Sequence, residues 1–248
     1  MIETAHSHAA LDTEAAAAGA APLLSIIVPV FNERATLEEL IQRVRQIHCS
    51  KEILIVDDGS TDGTTDQIAH LTKLIGVRGL YHCQNAGKGA AIRTGLQQAF
   101  GKIVVIQDAD LEYDPAEIEK LIEPIVEDRA DVVYGTRFGS SRPAIGPISR
   151  RVANRFLTWL SNRSTGLRLT DMETCYKAFR REAIAGVTLC EDRFGFEPEI
   201  TAKISRGSWR IMEVPISYDP RDHSRGKKIG FRDGLRAIWC ILRYSRWD

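Results

Sequence analysis

From Leu23 onward, short apolar runs that end in acidic or glycine-rich turns alternate with stretches whose apolar residues recur at helical spacing. "LLSIIVPV" reads as a strand buried on both faces, because it lacks the polar alternation of a half-exposed strand. "TLEELIQRVRQI" follows, with Leu37, Leu40, Ile41, Val44 and Ile47 on one helical face, and Thr36 and Glu39 at capping-box spacing. The rhythm repeats through "EILIVDDGS" as a strand, a helix starting near Thr64, "GVRGLYHC" as a weaker strand and "GAAIRTGLQQAF" as a helix. "KIVVIQDAD" is the next strand, followed by a helix with Pro115 at its start and then "ADVVYGTRF" as a strand. Such alternation predicts an α/β fold with a mostly parallel, Rossmann-like sheet flanked by helices. Ligands of open sheets bind beyond the carboxyl ends of the strands, where "VPVFNE", "VDDGSTD" and "QDADLE" all fall.

After Phe138 the rhythm changes. The pattern predicts a helix over 148–161, a polar segment "TDMETCYKAFRREA", a helix in "GFEPEITAKIS", a strand in "WRIMEVPISY" and a basic loop "DPRDHSRGKKIG". The final stretch places Phe231, Leu235, Ile238 and Leu242 on one face, with Arg232, Arg236 and Arg243 among its charges. Residues 1–22 are Ala-rich and lack the basic start and apolar core of a secretory signal, so a disordered tail is expected there. A single domain is expected over 23–228 and an amphipathic helix over 229–248.

The net charge of zero hides an asymmetry: residues 1–136 carry 11 Lys+Arg and 21 Asp+Glu, whereas residues 137–248 carry 22 and 12. One reading is clustering on solvated faces. The other is an acidic half that holds a cation beside a basic half that receives anions. The neutral total lacks the basic footprint of a nucleic-acid binder. Cys49, Cys83, Cys175, Cys190 and Cys240 show no paired spacing, which points to a reducing compartment and to metal ligation through oxygen. No stretch approaches the roughly 18 apolar residues of a membrane span, so a soluble or peripheral protein is expected.

In "QDADLE", Asp108, Asp110 and Glu112 alternate, and their side chains would share one direction if the strand stays extended. Carboxylates so placed suit Mg²⁺ or Mn²⁺ beside phosphate oxygens, although a solvated turn is the plainer reading. In "VDDGSTDGT", Asp58 either accepts from a nucleobase edge or belongs to turn and cap chemistry. In "PVFNE", Pro29 and Phe31 would wall the base and Glu33 would bind its polar edge, or the segment is simply core and helix start. "NAGKGAAIRTG" departs from a phosphate-binding P-loop, with His82 in place of the first glycine and Gly89 in place of Ser/Thr. Lys88 either touches a nucleotide or is solvated.

Together these motifs resemble the family-2 glycosyltransferases of GT-A fold, nearest to the polyprenyl-phosphate sugar transferases typified by dolichol-phosphate mannosyltransferase. The resemblance runs from Leu23 to Gly234 and rests on "VDDGSTDGT" and "QDADLEY" at this separation. It implies a nucleotide-sugar donor of GDP-mannose or UDP-glucose type, a Mg²⁺ or Mn²⁺ cofactor, transfer with inversion, and a C-terminal acceptor-side extension. By position, Pro29, Phe31, Glu33, Val56 and Asp58 fall where the family binds the nucleoside. Asp108, Ala109, Asp110 and Glu112 fall where it holds metal and diphosphate, and Arg137 matches an arginine near the phosphates. Arg221 and Lys227 match a basic loop that closes over donor and acceptor phosphates, with Arg225 and Lys228 as spares. Asp171 and Lys177 match an acceptor-side segment in which Cys175 replaces the usual glycine. Arg150, Arg151 and Asn154 face the acceptor or lie on a solvated helix face.

The acceptor sets the mechanism. A polyprenyl or dolichyl phosphate is already anionic and needs cations rather than a general base, which the basic half supplies. A glycan hydroxyl would need a carboxylate base, with Asp171 or Glu197 as candidates. A catalytically silent nucleotide-sugar-binding scaffold and a nucleotidyltransferase are the readings from other classes. A processive polysaccharide synthase is disfavoured because Arg243 stands where its Q-x-x-R-W signature has Gln. The expected setting is the cytoplasm, at the cytoplasmic face of a membrane if the last helix lies in the interface.

Overall fold

The structure, a computed structural model, describes residues 21–138, 148–220 and 231–246. The first half alternates as the periodicity predicts: β1 (Leu24–Val30), α1 (Leu37–Arg45), β2 (Lys51–Asp57), α2 (Thr64–Leu71), β3 (Val77–Tyr81), α3 (Lys88–Gln98) and β4 (Ile103–Ile106). A 3₁₀ turn (Pro115–Glu117) leads into α4 (Ile118–Val126) and β5 (Val132–Thr136). Then come α5 (Ile148–Thr165), β6 (Lys177–Arg180), α6 (Arg181–Ala185), α7 (Phe196–Ile204), β7 (Ile211–Pro215) and α8 (Phe231–Arg246).

All seven strands join one sheet in the order β3-β2-β1-β4-β6-β5-β7. The pairings are parallel except around β6, which runs antiparallel to both β4 and β5. Every residue of β1 is buried, as expected of a strand covered on both faces. Side chains such as Ile26 and Ile27, wholly withdrawn from solvent, each contribute roughly 1.5–3 kcal/mol by burial.

Pro29 shows how the sheet opens into a site. The Ile27 carbonyl faces β4 and accepts the Gln107 N–H at 2.9 Å. By alternation Pro29 faces the same side, but β4 pairs with β1 only as far as Ile27. The missing proline N–H therefore leaves no ladder bond unmade. Beyond this point β1 and β4 part, and strand order reverses between them, which is the switch point where open α/β sheets bind ligands.

Several expectations are corrected. Thr36 caps nothing with its side chain; its hydroxyl donates instead to the Ala109 carbonyl at 2.8 Å, tying the start of α1 to the tip of β4. The extended form does not persist to Glu112, because β4 ends at Ile106 and Leu111 adopts a left-handed φ of 60°. Part of the polar segment is the strand β6, and the helix expected over 148–161 runs on to Thr165. On α8 the buried side chains are Ala237, Cys240, Ile241 and Tyr244, whereas Leu235 and Leu242 are exposed.

The amino end of α3 packs backbone to backbone against residues 191–193. Ala90 N–H donates to the Asp192 carbonyl at 3.0 Å, and a Cβ on Gly89 would run into the Glu191 carbonyl oxygen. Helix propensity alone favours alanine over glycine by about 1 kcal/mol. Gly89→Ala is nevertheless expected to destabilise the fold by about 1–3 kcal/mol, read from urea midpoints; a stabilised variant would show that the close approach is not there.

Candidate active site

The tips of β1, β2 and β4 and the start of α3 meet at the switch point. The Asp58 N–H donates to the Val30 carbonyl (2.8 Å), joining the ends of β1 and β2. The Asp58 carboxylate, buried, accepts from the Ala86 N–H (2.9 Å) and the Gly87 N–H (2.7 Å) and contacts His82 Nδ1 at 2.7 Å. Three of its roughly four lone-pair positions are thus used by the loop that leads into α3. The residue expected at a base edge is here the organiser of that loop. His82, noted in the sequence only as a departure from a P-loop, also contacts Thr94 Oγ1 at 2.9 Å and so bridges loop and helix. Pro29 and Val56 stand opposite each other in the β1–β2 ladder and are buried, while Phe31 and Glu33 lie just past β1 and are half-buried.

Lys88, the first residue of α3, is not solvated. Its Nζ lies 2.8 Å from Asp108 Oδ1, 3.6 Å from Glu197 Oε1 and 3.5 Å from Cys175 Sγ. Burial would lower its pKa, but the facing negative groups, Asp108 foremost, outweigh burial and hold the ammonium well above its ordinary value. A fixed positive charge therefore sits at the tip of β4. The same buried environment pushes the Cys175 thiol well up, so Cys175 stays a neutral thiol.

The three acids of "QDADLE" do not converge. Asp108 pairs with Lys88, Asp110 accepts the Glu112 N–H at 3.1 Å, and Glu112 Oε2 accepts the Tyr218 hydroxyl at 2.6 Å. Among the described residues no group of three His, Cys, Asp or Glu side chains forms a metal cluster. The donor set still fits a hard divalent ion, because Mg²⁺ and its like take one or two carboxylates and complete their shell with water and substrate phosphates. Asp110, half-buried just past the strand, could supply one such carboxylate. Glu112 is turned to Tyr218 instead, which rings against Tyr113 at 5.2 Å, as Tyr113 does against Tyr176 at 4.8 Å.

Past the end of β5, Arg137 and the buried Asp171 form a bidentate pair, Nε to Oδ2 and Nη2 to Oδ1, both 2.7 Å. Asn154 Nδ2 adds a third donor to Asp171 at 2.8 Å, and Glu213 Oε1 accepts the Asp171 N–H at 3.0 Å. Burial raises the Asp171 pKa, but Arg137 more than reverses it and holds the carboxylate below its ordinary range. A carboxylate this strongly held as an anion anchors an arginine rather than taking up a proton. The Arg137 guanidinium also lies over the Tyr218 ring, 5.2 Å from its centre. Arg221, Lys227, Arg225 and Lys228 lie outside the described residues, as do the side chain of Arg150 and the tail over 1–20.

Between these two clusters lie Lys177, Glu173 and Glu197. Lys177 is fully buried, donates to the Thr174 carbonyl and faces the Tyr134 ring at 5.1 Å. Among the described residues, Glu173 Oε1 and Glu197 Oε2 are buried without a hydrogen-bond partner. Burial, reinforced by Glu197, pushes the Glu173 carboxyl up to about 8 against the opposing Lys177 and Arg137. Glu173 was missed in the sequence because an acid within a polar stretch looks solvated; the only hint was its place in "TDMETCYKAF".

A folded pKa near 8 against an unfolded value of 4.5 means that the folded state keeps the extra proton. Stability from this group is complete below pH 4.5 and is lost as pH rises through about 8. Glu173→Gln is expected to flatten the melting temperature against pH across that window; identical profiles for wild type and variant would place the titration elsewhere.

An open, mostly parallel α/β sheet with charged groups gathered at its carboxyl-end switch point defines the class: a doubly wound ligand-binding domain. The sequence profile described as glycosyl transferase family 2 matches residues 25–187, and the chain belongs to that family. Over 211 residues it is 31% identical to the undecaprenyl-phosphate 4-deoxy-4-formamido-L-arabinose transferase of Aeromonas hydrophila subsp. hydrophila, covering 83% of this chain and 62% of that protein. Over 228 residues it is 30% identical to the dodecaprenyl-phosphate galacturonate synthase of Rhizobium johnstonii, covering 88% of this chain and 65% of that protein. The chain thus spans between three-fifths and two-thirds of the length of these relatives. Among solved structures it is similar to the glucosyl-3-phosphoglycerate synthase of Mycobacterium tuberculosis in complex with Mn²⁺, uridine diphosphate and phosphoglyceric acid. The TM-score is 0.71 at 20% identity, covering 98% of this chain and 84% of that one. At that identity the likeness is one of fold, and the fold is the GT-A arrangement expected from the motifs.

Proposed function

We propose that the chain transfers a sugar from a nucleotide-sugar to a polyprenyl phosphate, with inversion at the anomeric carbon. The observation that carries the reading is the half-buried Lys88–Asp108 ion pair at the tip of β4, two residues from Asp110 and beside the ends of β1 and β2. The names of the relatives, which act on undecaprenyl or dodecaprenyl phosphate, support the acceptor class. In the proposed step an acceptor phosphate oxygen forms a bond to the anomeric carbon while the bond to the nucleoside diphosphate oxygen breaks. The acceptor oxygen is already anionic, so no side chain has to remove a proton, consistent with Asp171 being committed to Arg137.

The residues divide the work by position. Phe31 and Glu33, at the mouth of β1, would hold the nucleoside above buried Pro29 and Val56, with Asp58 fixing the adjoining loop. Lys88 sets a positive charge beside Asp108 and Ala109, and Arg137, aimed by Asp171, brings the second cationic group; Arg221 and Lys227 would complete the phosphate contacts. A Mg²⁺ or Mn²⁺ ion held by Asp110 would supply positive charge opposite the departing diphosphate. The acceptor lipid would place the work at a membrane surface, and the cytoplasmic side is the setting proposed for it.

Thermal unfolding against GDP and UDP, each with and without Mn²⁺, tests the donor site. A Mn²⁺-dependent rise with one of them is expected, about 2.7 kcal/mol of added stability at a hundredfold excess over Kd. No rise with either would overturn the donor site, a rise without sugar transfer would favour the silent-scaffold reading, and release of pyrophosphate from a nucleoside triphosphate would favour a nucleotidyltransferase.

A further inference from the structure

Two neighbouring helices carry rows of exposed apolar side chains among the described residues. Val152, Phe156 and Trp159 recur at helical spacing along α5, and Leu235, Trp239 and Leu242 do so along α8. These are six of the ten exposed large hydrophobic side chains among the described residues, so the exposure is concentrated rather than scattered. The two helices meet beside the end of these stripes. One turn beyond Trp159, Arg163 lines a groove with Leu160 and Ser164 of α5 and with Leu242 and Ser245 of α8.

The charge on these helices is equally one-sided. Residues 148–165 and 231–246 contain eight arginines and a single acid, Asp233. Arg151, Arg155 and Arg163 are exposed on α5, and Arg236 and Arg243 on α8. The Arg236 and Arg243 guanidinium carbons lie 4.1 and 5.2 Å from the centre of the Trp239 ring. Tryptophan with arginine is the pairing that sits at the headgroup level of a bilayer, where the ring meets the acyl boundary and the cation meets lipid phosphate. Among the described residues no helix is long and apolar enough to cross a membrane, and arginines flanking exposed tryptophan suit a contact made along the surface.

We propose that α5 and α8 together form a docking face for an anionic bilayer surface. The inference rests on the transferase reading only in that a polyprenyl phosphate resides in a membrane. Arg236 also forms a two-bond ion pair with Glu191, both bonds 2.9 Å, and Glu191 belongs to the segment that packs against Gly87 and Gly89. The docking helix is thereby braced against the loop that presents Lys88.

The test is co-sedimentation of the full chain with vesicles of phosphatidylcholine alone and of phosphatidylcholine with phosphatidylglycerol. Binding is expected only to the anionic vesicles, and to fall with added salt. Phe156→Ser with Trp159→Ser, and separately Leu235→Ser with Trp239→Ser, are each expected to weaken binding about tenfold or more. The melting temperature and its nucleotide-induced rise should be unchanged in both. Failure of the wild type to bind, or equal binding by the variants, overturns the docking face. So does a change of mass at sedimentation equilibrium in the variants with vesicle binding intact, which would make the face a self-interface. Sugar transfer to a short, water-soluble polyprenyl phosphate separates the two readings. Transfer without vesicle binding removes only the docking face, and vesicle binding without transfer removes only the transferase.

Discussion

Asp110→Ala is expected to lose sugar transfer by about a hundredfold or more, the scale on which removal of one preorganised charge-stabilising group acts. The argument is positional. Asp110 lies half-buried just past the end of β4, where β1 and β4 part, two residues from the Asp108 that pairs with Lys88. The Asp110 carboxylate also accepts the Glu112 N–H, so alanine removes a turn acceptor along with the charge. Asp110→Asn keeps an acceptor oxygen and removes only the charge, and it should be as inactive as alanine while unfolding like the wild type. Full activity in the alanine variant, with bound Mn²⁺ unchanged, would show that the cation is held elsewhere.

Asp171→Ala is expected to cost about 3–5 kcal/mol of stability, because it strips a buried guanidinium of its counter-ion. Three side-chain hydrogen bonds, two from Arg137 and one from Asn154, lose their acceptor at once. The effect should appear as a lowered urea midpoint with little change in slope. Since buried ion pairs are often replaceable by apolar side chains, the double change Arg137→Met with Asp171→Leu should recover much of that loss and leave transfer absent. Wild-type stability in the single variant would mean that the pair is not formed in solution.

The first half of the fold was legible because β1, β2 and β4 are built on continuous apolar runs that lead into polar or acidic turns, with β3 the weaker strand, and the helices between them carry apolar faces. Leu37, Leu40, Ile41 and Val44 are buried as the periodicity of α1 predicts. The strand β6 was not legible. Its four residues "KAFR" begin and end on cations, and Lys177 is buried only because Tyr134, Phe196 and the Thr174 carbonyl surround it. The face of α8 was misjudged for a related reason. Its moment is shared between a stripe that packs, with Cys240 and Tyr244 beside Ala202, and a stripe that does not. Only the neighbours of a helix decide between two such stripes.

The sequence by itself determined the alternating α/β plan, the tips at which polar groups gather, and the acidic and glycine-rich turns that mark them, since all of these follow from local periodicity and turn chemistry. Tertiary structure alone decided which carboxylate does what. Asp58 became a loop organiser, Asp108 the partner of Lys88, Asp171 the anchor of Arg137 and Glu112 the acceptor for a tyrosine, because each found a donor distant in sequence. A carboxylate's chemistry is set by what shares its low-dielectric surroundings, and spacing along the chain carries no record of that.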